Sequence, residues 1–486
     1  MSAETLPPRW ATVEIKDLIT PEGVFVDGDW IESKDQDPDG DVRLIQLADI
    51  GEGAFLDKSA RFLTSDKAAE LRCTFLKKGD VLIARMPDPL GRACIFPLEG
   101  EDRYVTVVDV CIIRTSPDIA SSEFLISAIN FLGTRKQIED LQTGTTRKRI
   151  SRGNLAYVTI PLPPLAEQKR IVAKIEELFS ELEAGEESLR VARRQLGVYR
   201  QSLLKQAFEG KLTAKWRTQN RVKLGKPLTA STLLDVEPGP LPPGWIWQTL
   251  NEVADVTGGL TKNAKRDSLP KRIPYLRVAN VYSNELRLDE IKDIGVTTAE
   301  AVKVRLVKGD LLIVEGNGSL DQIGRVAAWN GSIPGCGHQN HLIRARCHPN
   351  AHYAFVLMFL LSPHGRDVIE KQAASTSGLH TLSVSKVQRL PVPLCSLPEQ
   401  QEIVRMLDEQ FEVIERNERE IDGALRRSEA LRQAILKKAF TGRLVPQDPS
   451  DEPASTLLAR LRTEQGAAAA APKPTRTRSG KPVVAP

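Results

Sequence analysis

Residues able to bind metal or move protons gather in one stretch. All six histidines lie between 338 and 380, and CGHQNHLIRARCH (336–348) sets Cys336, His338, His341, Cys347 and His348 close together. A structural zinc site needs four such donors converging at a regular spacing. Here the spacing is irregular. The alternation over 338–346 predicts a strand whose neighbouring side chains diverge to opposite faces, so no metal is expected. The six cysteines (Cys73, Cys94, Cys111, Cys336, Cys347, Cys395) include no CxxC pair, a pattern that fits reduced thiols. GxSxG, HExxH, GxxxxGK[ST] and GxGxxG are all absent. The Asn/Asp-Pro-Pro-aromatic tetrapeptide that positions a flipped adenine in amino-methyltransferases is missing too, since the PP pairs read PPR, PPL and PPG. No catalytic residue is expected, and the chain reads as a reader or scaffold.

Polar loops suggest a different chemistry. TGTTRKRISRGN (143–154) places Arg147, Lys148, Arg149 and Arg152 beside Thr145 and Thr146, with no acid. Clustered cations with hydroxyl donors are what phosphate and base-edge contacts require. A solvated surface loop fits the same residues. The corresponding stretch further on, STSGLHTLSVSK (375–386), carries Ser375, Thr376, Ser377 and His380 and is polar but barely basic. A third loop, TKNAKRDSLPKR (261–272), carries Lys262, Lys265, Arg266, Lys271 and Arg272 against Asp267. Phosphate contact and plain solvation suit it equally. Two turn-rich loops, 85–92 and 315–325, follow apolar strands; their glycines match no nucleotide-binding spacing.

These loops sit in a chain that repeats itself. LAEQKRIVAKIEELFSELE from Leu165 returns as LPEQQEIVRMLDEQFEVIE from Leu397, and 19 of 48 positions are identical between 165–212 and 397–444. Shared residues include Glu167/Glu399, Gln168/Gln400, Phe179/Phe411, Phe208/Phe440 and Gly210/Gly442. Fainter matches precede them: LPPRW with LPPGW, RLIQLADI with PYLRVANV, LKKGDVLIAR with LVKGDLLIVE, and Gly91–Arg92 with Gly324–Arg325. The chain is therefore read as two copies of one unit. Residues 1–164 form a first module, 165–212 a helix, and 213–240 a linker. Residues 241–396 form a second module and 397–444 a second helix. A short helix over 445–465 and a basic, disordered tail over 466–486 complete it.

The first helix has a heptad seam of Ile171, Ile175, Leu178, Leu182, Leu189, Leu196 and Leu203, filled in by Gly185, Ala192 and Tyr199. The second has Ile403, Leu407, Ile414, Ile421, Leu431 and Ile435, with polar Gln410, Asn417 and Ser428 between. A rod of about 40 residues spans roughly 60 Å and cannot bury such a stripe alone. The tether makes the other copy the favoured partner, and antiparallel pairing would carry the modules to opposite ends. The modules read as β-rich, with strands at DVLIAR, RYVTVVDVCIIR, DLLIVE and RVAAW, and with extended Pro-bounded YVTIPLPP and RLPVPLCS leading into the helices. The fold class expected is α+β.

Composition sets the outer limits. With 486 residues, 41% hydrophobic and 27% charged, the chain has a globular balance. A net charge of +4 excludes a general polyanion sponge. No apolar run reaches membrane-spanning length, and MSAETLPPRW lacks a secretory pattern, so a cytoplasmic protein without a membrane role is expected.

Two variable modules alternating with two near-identical helices, each opening in EQ and closing in LLKQAFEGKL or ILKKAFTGRL, resemble the specificity subunit of type I restriction–modification enzymes. The resemblance covers roughly 1–465, and the PLPPLAEQ…LLKQAFEGKL pattern carries it. It implies two target-recognition domains, each reading one half of a split, asymmetric site in double-stranded DNA. It further implies a coiled coil that sets half-site spacing and docks two methylation subunits, with restriction subunits joining them. S-adenosylmethionine, ATP and Mg would belong to those partners, and none to this chain. A coiled-coil adaptor with two protein-binding modules is the rival reading.

Overall fold

The computed structural model describes residues 6–86, 89–100, 102–144, 147–220, 239–316, 322–373 and 381–470. It divides into two units: residues 1–188 with 424–486, and residues 189–423. Each long helix, Leu165–Phe208 and Leu397–Phe440, therefore begins in one unit and ends in the other.

The first unit holds a four-stranded antiparallel sheet in the order Val24–Asp27, Val110–Arg114, Val81–Ala84, Ala93–Ile95. A three-stranded sheet adds Phe62–Leu63, Val42–Ile45 and Tyr104–Thr106, the last two parallel. Ala11–Glu14 pairs with Thr159–Leu162, which leads into the long helix. The second unit repeats this plan. Its four strands are Ala254–Thr257, Leu342–Cys347, Leu311–Val314 and Val326–Ala328. Its three are Lys292–Gly295, Arg272–Leu276 and Gly337–His338, and Ile246–Thr249 pairs with Pro391–Leu394. The α+β expectation holds in both units.

The faint sequence matches mark buried polar anchors. In LKKGD, Gly79 takes a left-handed turn (φ 94°), and Asp80, 1% exposed, accepts the Lys77 backbone N–H at 2.8 Å. Arg114, on the adjacent strand, closes a bidentate pair on that carboxylate at 2.6 and 2.7 Å. LVKGD repeats this with Gly309, Asp310 and Arg346, at 2.7 Å for both contacts. In the EQ pairs, Gln168 donates to the Ile119 and Pro163 carbonyls, and Gln400 to those of Asn350 and Cys395. Glu167 accepts from Trp10 at 3.0 Å and Gln447 at 2.5 Å. Glu399 accepts from Thr213 at 2.8 Å and Arg217 at 2.5 Å. Burial pushes the Glu167 carboxyl above its usual range.

Within each unit the long helices run antiparallel, because partner numbers fall as the others rise. In the first, Arg432 lies 5.0 Å from the centre of the Phe179 ring and 3.3 Å from Glu186, which also accepts from Ser428. In the second, Arg200 lies 4.8 Å from Phe411 and 3.7 Å from Glu418, with Arg193 on Asp422 and the Tyr199 hydroxyl on Gln410. Arg200 and Arg432 occupy equivalent repeat positions, so one cation–π and ion-pair lock is used twice. The helix-closing phenylalanines anchor each unit. Phe440 packs on Phe124 and Phe131, and Phe208 on Phe355 and Phe359.

The seam is buried at Ile171, Ile175, Leu203, Ile403, Leu407, Ile414 and Ile421 and half-buried at Leu178, Leu182, Leu189, Leu196 and Ile435. Leu431 departs from the expectation. It is 51% exposed, because Ser428 and Arg432, not Leu431, face the partner helix there. Tyr199 and Asn417 are also exposed.

Other boundaries shift for identifiable reasons. The helices stop at Phe208 and Phe440, short of the expected 212 and 444, because Gly210 (φ 68°) and Gly442 (φ 69°) turn the chain back. A Cβ on Gly210 would sit 2.2 Å from Pro242, and one on Gly442 would sit 2.2 Å from Pro7. The stretch read as a linker opens with a packed helix, Ala214–Gln219, whose Arg217 meets Glu399; its remainder, 221–238, lies outside the described residues. The short helix expected over 445–465 is Ala454–Ala470, running into the segment read as tail. RYVTVVDVCIIR is two strands, Tyr104–Thr106 and Val110–Arg114, separated by a turn. The strand expected over 338–346 is likewise broken by a turn at 339–341.

Candidate nucleic-acid interface

The basic loop of the first unit is built on the end of its central strand. Thr143 and Arg149 exchange backbone hydrogen bonds at 2.8 and 3.0 Å, closing a small loop between them. Gly144 (φ 93°) makes that turn, and a Cβ there would meet the Arg147 carbonyl at 2.5 Å. The buried Ile150 ties the loop down. Its N–H donates to the Arg85 carbonyl at 3.1 Å, and Arg85, paired with Asp27 at 3.3 Å, donates back to the Ile150 carbonyl. Ser151 caps the helix Arg152–Ala156.

Arg147, Lys148 and Arg149 are therefore exposed on one anchored loop, and Arg152, also exposed, opens the helix that follows it. Among the described residues none of the four is in an ion pair; Arg152 donates only to the Phe25 carbonyl, at 3.3 Å. Unneutralised cations on a rigid base are suited to phosphate contact. Thr145 and Thr146 lie outside the described residues.

The second unit carries its polar loop in the equivalent place. Gly316 pairs with Thr381, and the Leu382 N–H donates to the Glu315 carbonyl at 2.7 Å, as Ile150 does to Arg85. Ser375, Thr376, Ser377 and His380 fall outside the described residues. The 261–272 loop divides. Lys262 and Lys265 are exposed, whereas Arg266 is turned inward onto the Thr261 and Gly295 carbonyls and Glu300, at 2.9 Å. That guanidinium and the Thr297 backbone N–H hold the Glu300 carboxyl at about 2. Arg266 fastens the loop to its own unit.

The described histidines of this stretch have separate partners. His338 is buried with Nδ1 2.8 Å from the Leu342 carbonyl, and burial brings it down to about 4. His341 meets Glu315, and His348 lies beside Asp255. No cluster of metal-ligating side chains occurs among the described residues. No described helix is long and apolar enough to cross a membrane.

Sequence reasoning missed one basic and aromatic cluster in the second unit, where Tyr282 lies against Arg287 and Arg325. Only Arg325, in the repeated Gly–Arg pair, offered a signal.

The family model described as the type I restriction modification DNA specificity domain matches twice, at residues 7–190 and 242–424. The specificity subunit of the type I restriction enzyme EcoKI of Escherichia coli (strain K12) is 28% identical over 347 residues, 68% of this chain and 69% of that one. That of EcoDI, also from Escherichia coli, is 26% identical over 370 residues, 72% of this chain and 78% of that one. Among solved structures, a chain from a study of assembly and conformational transition of the type I R-M system superposes with a TM-score of 0.64 at 21% identity, covering 90% of this chain and all of that one. The HsdS subunit from Thermoanaerobacter tengcongensis gives 0.51 at 21% identity, covering 91% and 99%.

Proposed function

Because the chain belongs to the type I restriction–modification DNA specificity family, matched over both halves, we propose that it reads a bipartite, asymmetric site in double-stranded DNA, one half per unit. The observation that carries this reading is a contrast within the repeat. The Asp80/Asp310 and Gln168/Gln400 anchors are duplicated, while the loops built on equivalent strand ends differ, one basic and one nearly neutral. Scaffolds of one plan with unlike reading edges suit two unlike half-sites.

The chain acts as a non-catalytic recognition subunit. The paired helices dock two methylation subunits, and restriction subunits complete the assembly; S-adenosylmethionine, ATP and Mg are held by those partners. The helix pair, about 66 Å long at 1.5 Å per residue, sets the distance between half-sites. Type I specificity subunits work in the cytoplasm, and this chain is assigned there with them.

The test is binding of the chain, assembled with its methylation subunit, to duplexes carrying both half-sites, either one, or neither. The reading expects tight binding only when both are present at fixed spacing. Equal affinity for all four duplexes overturns it and favours the adaptor reading.

A further inference from the structure

We infer that the second unit holds a backbone phosphate of DNA in a cleft of about 270 Å³ formed by Tyr282, Ser283, Gln322, Arg325 and Arg366, with the Arg325 guanidinium as the principal donor. The inference rests on the DNA-reading role proposed above and says how a unit whose polar loop is barely basic grips the duplex.

The local fold builds the cleft. Val281–Tyr282 and Glu285–Leu286 form a hairpin whose turn places Asn284 at φ 56° and donates its N–H to the Val326 carbonyl at 2.9 Å. That bond sets Tyr282 beside Arg325, the residue before strand Val326–Ala328. Arg287 lies 3.8 Å from the centre of the Tyr282 ring and Arg325 lies 4.9 Å from it. The ring thus fixes a guanidinium without neutralising it.

The charges single out Arg325. Among the described residues Glu285 is the one carboxylate lining the cleft, and it is taken up by Arg287 at 3.0 Å. Arg366 donates to the Ile323 carbonyl at 2.8 Å and lies 3.5 Å from Glu370. Among the described residues Arg325 is in no ion pair, its guanidinium hydrogen-bonds only the Gln322 side-chain oxygen, at 3.5 Å, and its Nε is buried without a hydrogen-bond partner. A phosphodiester presents the acceptor oxygens that such a fork lacks. The repeat supplies a contrast: Arg92 matches Arg325, but Gly51 stands where Tyr282 does, and there the basic loop 143–154 carries the charge.

The test compares the wild-type chain and Arg325→Gln, each assembled with its methylation subunit, on a cognate and a scrambled duplex across a salt series. The inference expects weaker binding to both duplexes and a salt slope lower by about one, the value of one phosphate contact. An unchanged slope overturns it, as does a loss confined to the cognate duplex, which would make Arg325 a base reader. Arginine modification of the wild-type complex by phenylglyoxal, read by mass spectrometry, covers a variant that fails to assemble. DNA of either sequence should protect Arg325, and equal modification with and without DNA overturns the inference. If wild-type chain does not distinguish the two duplexes, the DNA-reading role fails instead.

Discussion

Arginines in this chain fall into two physical groups. Arg114, Arg346, Arg217 and Arg266 each close on a carboxylate that is itself partly or wholly buried, so their charge is spent on the fold. Arg147, Arg149 and Arg152 stand exposed with Lys148 and meet no acid among the described residues. Replacing all four with Gln should leave the fold intact, reduce DNA affinity of the assembled complex and lower its salt slope by about one per lost phosphate contact. An unchanged salt series would make the loop merely solvated. His338 makes a second prediction at this scale. Its folded pKa of about 4 lies below the usual 6.5, so the unfolded chain takes up the proton first. The stability of its neutral form is complete above pH 6.5 and is lost as pH falls through 4, on the order of 3 kcal/mol. Urea midpoints measured from pH 7 to 4 should fall less steeply in His338→Gln. These distinctions were only half legible: the basic run was visible, but nothing local told Arg266 from Lys265, because its partner Glu300 is 34 residues away.

At the scale of elements, the long helices were the most legible feature, because a heptad repeat is written in the residues it uses. Leu431 shows the limit of that reading. An apolar residue at the right spacing was displaced from the seam once Arg432 could satisfy Phe179 and Glu186 together. The repeated QAF and KAF endings carried a consequence that no spacing rule reveals, since each phenylalanine completes the core of the unit in which the other helix begins. Phe208→Ala should destabilise the second unit and Phe440→Ala the first, each by about 3–5 kcal/mol. Hydrogen exchange resolved by segment checks this, and loss of protection in the opposite unit would refute it.

At the scale of the whole molecule, the repeat predicted two similar modules but not which distant segments close the first unit. Arg9 donates to the Asp451 carbonyl, and the Asp451 carboxylate pairs with Arg170. The opening of the first module and the segment after the second helix thus meet in one unit, at a sequence separation of 442 residues that local patterns do not record. If the helix pair acts as a ruler, four residues added to both helices, after Ala184 and after Ala430, add about 6 Å, or roughly two base pairs. The target's spacer should lengthen by about that amount with both half-sites unchanged. A functional complex retaining the original spacer contradicts the ruler.

The central claim is that this chain selects a split DNA site for its partners. The most direct measurement is an adenine-methylation map of DNA from cells expressing the chain with its methylation subunit, and with that subunit alone. The account predicts a methylated motif of two unlike half-sites at fixed spacing, present only when the chain is. A stable complex that adds no new methylated motif would contradict it.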